Sequence, residues 1–196
     1  MKKLNSILFT CLAVLALHAC QSKTKDSKEG ADSLNAAKDS STKQSASAQG
    51  IAVDKSDAEF AVEAANGGIA EVEMGNTAVH SAVNPRVKKF GEMMVTDHTQ
   101  ANNELKDLAK SKNIVLPASV SADEQKMEAD ISKKTGKDFD KAYVNSMVDD
   151  HKKDIKAFED AIKTLKDPDL KAFAEKTLPV LKKHLDSINA IHASIK

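Results

Sequence analysis

The sequence has little cysteine, little aromatic surface and no excess charge of either sign. Of its 196 residues two are Cys, one is Tyr and none is Trp, and 29 basic side chains balance 29 acidic ones. Without a strong positive field, the chain lacks the electrostatic footprint of a nucleic-acid-binding protein. Both cysteines, Cys11 and Cys20, lie within the first twenty residues. The remainder therefore has no thiol for a disulfide, a zinc–thiolate site or a nucleophile.

The N-terminus has the layout of a secretory signal peptide. Lys2 and Lys3 are followed by an apolar run from Ile7 to Ala16, which is too short to cross a bilayer. The next residues, Leu17 to Cys20, resemble a bacterial lipobox. The resemblance implies that residues 1–19 are removed and that Cys20 is lipidated. A plain secretory signal is the alternative interpretation.

Lipid on Cys20 would make a membrane the partner of this protein. The next residue is Gln21, not the Asp that resembles an inner-membrane retention signal in some bacteria. We therefore expect a lipid-anchored envelope protein on the outer membrane, facing the periplasm. Cleavage would leave 27 basic and 29 acidic residues, so the mature chain would still carry no basic field.

A polar segment separates Cys20 from the rest of the chain. From Gln21 to about Gly50, Leu34 is the only large apolar residue, and such a segment cannot bury enough surface to offset its ordering entropy. The composition predicts disorder, so we interpret residues 20–54 as a lipidated cysteine with a flexible tether. A segment that folds on a partner is the alternative.

The remaining residues, 55–196, have the helical periodicity of a single all-α domain, without a strand pattern of useful length. Capping boxes that begin at Ser56 and at Ser121, together with prolines, divide it into four long helices and one short one. The predicted helices run from Ser56 to about Ala82, Asn84 to about Lys112, Ser121 to Gly136, Asp138 to about Lys166 and Asp167 to about Ser194. A short helix between the second and third long ones predicts a ferritin-like four-helix bundle with a crossover helix.

Each long helix has one ionisable residue in its apolar stripe. These residues are Glu71, His98, His151 and His184. All four lie near the middle of their helices, within roughly 5 Å of a common level if the ends are matched. They could bind one divalent transition metal (zinc, iron, manganese or copper) or form a hydrogen-bonded core network. Both interpretations stay open on the sequence alone.

Two carboxylates precede candidate ligands. The motif Met-Val-x-Asp-His occurs twice, ending at His98 and at His151, and it places Asp97 and Asp150 at the edges of the stripes. Either carboxylate could orient a histidine from a neighbouring helix or bind the metal itself. A surface carboxylate paired with lysine is the alternative for both.

Several motifs together resemble domain of unknown function 4142, a family of bacterial envelope proteins with a ferritin-like fold. The residues that carry the resemblance are Asn66-Gly67-Gly68, Glu71-Val72, Met94 to His98, Phe139-Asp140, Met147 to His151, Asp167-Pro168, Phe173-Ala174, Leu178-Pro179 and His184-Leu185. The resemblance covers about residues 55–192. It implies the fold and an envelope location, and it implies no established activity.

Three functions follow from these observations. The first is a metal-binding envelope lipoprotein for metal handling or stress protection. The second is a non-catalytic structural or interaction module whose core holds a His/Glu network. The third is an enzyme, for which the sequence offers no catalytic triad, no mature cysteine nucleophile and no Gly-rich phosphate loop. We therefore predict no catalytic residue and favour a non-enzymatic role. Glu-x-x-His pairs are also absent from the sequence, which disfavours a di-iron site.

Overall fold

The computed structural model describes residues 26–42 and 50–195, and the described chain is all-helical, as predicted. Its helices are α1 (Ser27–Thr42), α2 (Lys55–Ser81), α3 (Pro85–Ser111), α4 (Ala122–Ser132), α5 (Gly136–Thr164) and α6 (Pro168–His192). None of these helices combines the length and apolarity needed to cross a bilayer. The predicted signal peptide and the lipidation site Cys20 lie outside the described residues.

Three of the predicted helix starts are confirmed. The side chain of Asn84 accepts from the backbone N–H of Arg86, Ser121 caps α4, and Asp167 accepts from two backbone N–H groups at the start of α6. These side chains satisfy N–H groups that have no partner within the helix. Both α3 and α6 begin with proline, whose missing N–H costs nothing at that position.

Two local predictions are wrong. The expected capping box at Ser56 is not formed, because α2 begins at Lys55 and its N-cap residue is Asp54. The next residue, Asp57, is buried, and its carboxylate accepts from the backbone N–H groups of Lys166 and Asp167. These contacts are with a distant turn and not with the start of its own helix. Gly136 does not end the short helix: α4 ends at Ser132, and Gly136 begins α5 with a φ of +58°.

The long helices form two antiparallel hairpins, α2 with α3 and α5 with α6. At one end, Asp57 of α2 holds the turn between α5 and α6. At the other end, Asp140 of α5 accepts from Val83 and Asn84 in the turn between α2 and α3. It follows that α3 and α5 start at the same end, so the connection through α4 runs the length of the bundle. This is the ferritin-like crossover that the loop lengths predicted.

The helices α2 and α3 approach each other closely at Gly75 and Gly91. A Cβ atom on Gly91 would lie 2.7 Å from the Gly75 carbonyl oxygen and 3.0 Å from the Cβ of Ala78. Side chains at these positions would separate the two helices. The close contact lies one turn from Glu71 on α2 and two turns from His98 on α3, so it sets the spacing between those residues.

Two apolar clusters fill the bundle, one toward each end. The first contains Leu105, Phe158 and Leu181, and the second contains Met94 and Ile188 among others. On every long helix the ionisable stripe residue lies between a member of one cluster and a member of the other. The four ionisable residues therefore occupy a layer in the middle of the core.

Part of the segment that was predicted to be a disordered tether forms the helix α1. Disorder was expected from Gln21 to about Gly50, but Ser27–Thr42 are helical and pack against α2. The buried side chain of Asn35 accepts from the N–H of Val115 at 2.7 Å and donates to its carbonyl oxygen at 2.9 Å. The interface uses hydrogen bonds to a loop backbone, which a count of apolar residues cannot detect. The tether role itself stays a prediction.

Candidate metal centre

The structure brings together the four ionisable residues of the core stripes. One ring nitrogen from each of His98, His151 and His184 lies within 4.8 Å of the others, and all three side chains are buried. The carboxylate of Glu71 contacts two of them: its Oε2 lies 2.8 Å from His98 Nδ1, and its Oε1 lies 3.4 Å from His151 Nε2. Four helices thus each supply one group to a single site.

One ring nitrogen of each histidine faces a hydrogen-bond acceptor. His98 Nδ1 faces Glu71 Oε2 at 2.8 Å, and His151 Nδ1 faces the carbonyl oxygen of Met147 at 2.9 Å. His184 Nε2 faces Asp97 Oδ2 at 2.9 Å. Because these oxygens accept hydrogen bonds, the facing nitrogens carry the N–H. The second nitrogen of each neutral ring is therefore left with a free lone pair.

Those second nitrogens are buried without a hydrogen-bond partner. Within the part of the chain that the structure describes, five buried side-chain polar atoms lack one: His98 Nε2, His151 Nε2, His184 Nδ1, Glu71 Oε1 and the Tyr143 hydroxyl oxygen. Four of the five belong to the four residues of the site. An unpaired buried polar atom costs about 1–3 kcal/mol, so four in one layer are a considerable destabilisation unless something binds them.

Burial keeps the histidines neutral at physiological pH. It lowers the pKa of His98 to about 4 and that of His184 to about 4, and it also lowers the pKa of His151, where the Glu71 carboxylate opposes the shift. Burial raises the pKa of Glu71, partly offset by His151. Neutral imidazoles offer their lone pairs to a metal without first losing a proton.

Asp97 and Asp150, which precede His98 and His151 in the repeated motif, have different surroundings in the structure. Asp97 on α3 faces α6 and contacts His184, the arrangement expected of a carboxylate that orients a ligand from a neighbouring helix. Asp150 accepts from Ser146 Oγ at 3.0 Å and from Lys153 Nζ at 3.4 Å, and neither partner is a histidine. The orienting role suggested for Asp150 is not seen: its partner Ser146 also contacts Met127 of α4, so this side of α5 faces α4.

Sequence reasoning missed Asp154. This half-buried residue lies one turn after His151 and lines the same small cavity as Glu71. Burial raises its pKa well above the ordinary value, and the neighbouring Glu71 carboxylate raises it further. The available signal was the three-residue spacing from His151, which places both side chains on adjoining parts of one helix face.

The fold and the site define a class: a helical bundle with a buried histidine cluster in its core. The chain belongs to the family described as domain of unknown function DUF4142, whose sequence model matches residues 40–191. No curated protein matches the sequence.

Among solved structures, the chain is similar to "CopM in the Cu(II)-bound form". The TM-score is 0.62 and the sequence identity 13%, and the match covers 71% of this chain and 97% of that one. At this identity the likeness establishes the helical fold alone.

Proposed function

We propose that this protein is an envelope lipoprotein whose bundle binds one divalent transition metal through His98, His151 and His184, in metal handling or stress protection. The observation that carries the proposal is the cluster of three buried histidines: one ring nitrogen from each lies within 4.8 Å of the others, and each ring has one nitrogen without a hydrogen-bond partner. A single metal ion would satisfy all three at once.

A metal explains these atoms better than a self-contained polar network does. In a network, each donor must face an acceptor. Here Glu71 Oε1 and His151 Nε2 lie 3.4 Å apart, and His151 already uses its Nδ1–H on Met147. Both facing atoms are therefore acceptors when Glu71 is ionised, and only its protonated form, whose pKa burial raises to about 7, could donate to His151 Nε2. A cation between them would turn this mismatch into an attraction.

The hydrogen-bond acceptors that face the three histidines also suit a metal site. Histidine ligands in proteins generally donate their other N–H to a carboxylate, a backbone carbonyl or a water, which fixes the orientation of the ring. Glu71, the Met147 carbonyl and Asp97 take these places for His98, His151 and His184. Glu71 could in addition supply Oε1 as a fourth ligand while Oε2 holds His98.

The donor set favours copper or zinc. Imidazole suits zinc, copper, iron and nickel, whereas manganese prefers carboxylate and water ligands. One carboxylate beside three histidines is too few for a di-iron site. The fold is shared with CopM, whose structure was solved with Cu(II). We therefore place Cu(II) first among the metals to test and zinc second.

Lipidation of Cys20 and an outer-membrane location belong to the same proposal and rest on the signal sequence. They require a Cys20→Ala variant to leave the membrane fraction when expressed with its own signal. Retention of that variant in the membrane fraction would contradict the lipid anchor.

Metal stoichiometry tests the core of the proposal. The protein beginning at residue 26, without an affinity tag, is incubated with Cu(II) or Zn(II), desalted and analysed by elemental mass spectrometry. We expect about one metal per chain in the wild type and almost none in the His98→Ala, His151→Ala double variant. His80→Ala is the matched control, because His80 is exposed and hydrogen-bonds only within its own helix. A wild type that stays empty would contradict the proposal and favour the structural module.

A further inference from the structure

A small cavity adjoins the histidine layer. Its volume is about 40 Å³, and Glu71 and His98, which each have a buried atom without a hydrogen-bond partner, form part of its wall. Glu63, whose side chain is 62% exposed, lies at its rim. The cavity therefore joins the candidate metal centre to the surface between α2 and α5.

The helix α2 leaves this space open because it carries two consecutive glycines beside it. A Cβ on Gly67 would have Asp154 Oδ1, at 3.8 Å, as its nearest contact, so the volume next to Gly67 is free. A Cβ on Gly68 would lie 2.1 Å from Asn102 Oδ1. The missing side chain of Gly68 is thus what allows the Asn102 amide to reach the cavity. Glycine costs about 1 kcal/mol relative to alanine inside a helix, so the pair needs a local reason.

The lining of the cavity is chemically mixed. Its polar members include Glu71, His98, Asn102 and Asp154. Its apolar members include Phe158, which belongs to one of the two core clusters. An amide and two carboxyl groups provide hydrogen bonds to a polar ligand, while the apolar residues limit how many waters surround it.

The volume decides which guests fit. A water needs roughly 10–15 Å³ of such space, so 40 Å³ accommodates at least two and about three non-hydrogen atoms. Organic molecules of more than a few non-hydrogen atoms are excluded by size. Ligands that bind transition metals at this size include water, hydroxide, dioxygen, peroxide and linear triatomic anions.

We propose that the cavity beside Gly67 is a ligand pocket of the metal centre, which admits a species of two or three non-hydrogen atoms to the metal held by His98, His151 and His184. This inference depends on the proposed metal site. It adds that the centre is open to small exogenous ligands, so the bundle is more than a closed storage site. Glu71, Asn102 and Asp154 are the groups that would contact the guest.

Azide is the probe, because it is a linear triatomic anion that gives a charge-transfer absorption band when it binds Cu(II). The copper-loaded protein is titrated with azide and followed by optical and electron paramagnetic resonance spectroscopy. We expect a saturable band in the wild type. Gly67→Ala should weaken azide binding about tenfold, the equivalent of roughly 1.4 kcal/mol, by occupying the free volume. Gly67→Val, which adds three non-hydrogen atoms, should abolish it.

Gly30→Ala is the matched control. Gly30 also lies in a helix, a Cβ there would meet nothing within 4 Å, and it is not among the residues that line the cavity. This variant should bind azide like the wild type. Copper stoichiometry is measured on every variant, and each Gly67 variant should retain its metal, because the new side chain extends into free space.

The outcomes separate the two proposals. Copper binding without an azide band, or with equal azide affinity in the wild type and Gly67→Ala, would overturn the pocket and leave the metal site standing. A wild type that binds no metal would overturn both. Azide binding that is weakened in the Gly67→Ala variant and unchanged in the Gly30→Ala variant would support both.

Discussion

Replacing His151 with leucine should separate a metal site from a structural network. His151 is completely buried, its Nε2 has no hydrogen-bond partner, and its Nδ1 bonds the carbonyl of Met147. In the metal-free protein, His151→Leu removes an unpaired buried nitrogen that costs about 1–3 kcal/mol, and it loses one hydrogen bond worth about 0.5–1.5 kcal/mol. The Met147 carbonyl keeps its backbone partner within the helix. Leucine also fills a similar volume with apolar atoms.

The expected result is a metal-free variant that is more stable than the metal-free wild type by about 1 kcal/mol. For a domain of this size that is an increase in melting temperature of about 2–4 °C. With metal present the order should reverse, because the wild type gains about 2.7 kcal/mol when free metal is a hundredfold above its dissociation constant. The variant should gain much less.

Differential scanning calorimetry with and without chelator measures both effects. A network in which His151 satisfies its neighbours predicts the opposite, a loss of several kcal/mol in the metal-free variant, because its partners would be left unpaired. Such a loss, together with an unchanged response to metal, would refute the reasoning.

Two further predictions concern acidity and helix spacing. Since burial lowers the pKa of His98 and His184 to about 4, protons compete with the metal for these rings only as the pH falls toward that value. Dialysis at stepwise lower pH should therefore show metal retained well below pH 6.5, the ordinary imidazole value, and release near 6.5 would contradict the burial argument. Gly91→Ala forces a Cβ to 2.7 Å from the Gly75 carbonyl oxygen and should lower the free energy of unfolding by about 1–3 kcal/mol. Urea titration checks this against Gly30→Ala, which should be neutral or slightly stabilising, and equal effects in the two variants would contradict the close helix contact.

Much of the fold could be read from the sequence because its helices are long, amphipathic and clearly punctuated. Asn84-Pro85 and Asp167-Pro168 mark helix starts by local chemistry, and the structure places α3 and α6 there. Rules based on neighbouring residues fail where a side chain binds a distant part of the chain. The capping box expected at Ser56 does not form, and the neighbouring Asp57 binds the turn at Lys166, which lies far away in sequence.

The site residues were readable for a different reason. A histidine or glutamate in an apolar stripe stands out, and the four lie at matched heights when the helices align. What could not be read is which face of each helix meets which neighbour. Asp97 and Asp150 occupy equivalent positions in the repeated motif, yet only Asp97 contacts a histidine. Asp154 was missed because a carboxylate between Lys153 and Ile155 looks like a surface residue.

X-ray absorption spectroscopy of the copper-loaded wild type tests the central claim most directly, because it counts the imidazole ligands of the bound metal. The proposed site predicts one copper per chain with three imidazoles in its coordination sphere, and two in a His184→Leu variant that still binds. His80→Ala should leave the spectrum unchanged. A wild-type spectrum with one imidazole or none, or one that changes on loss of His80 and not of His184, would contradict the buried histidine centre.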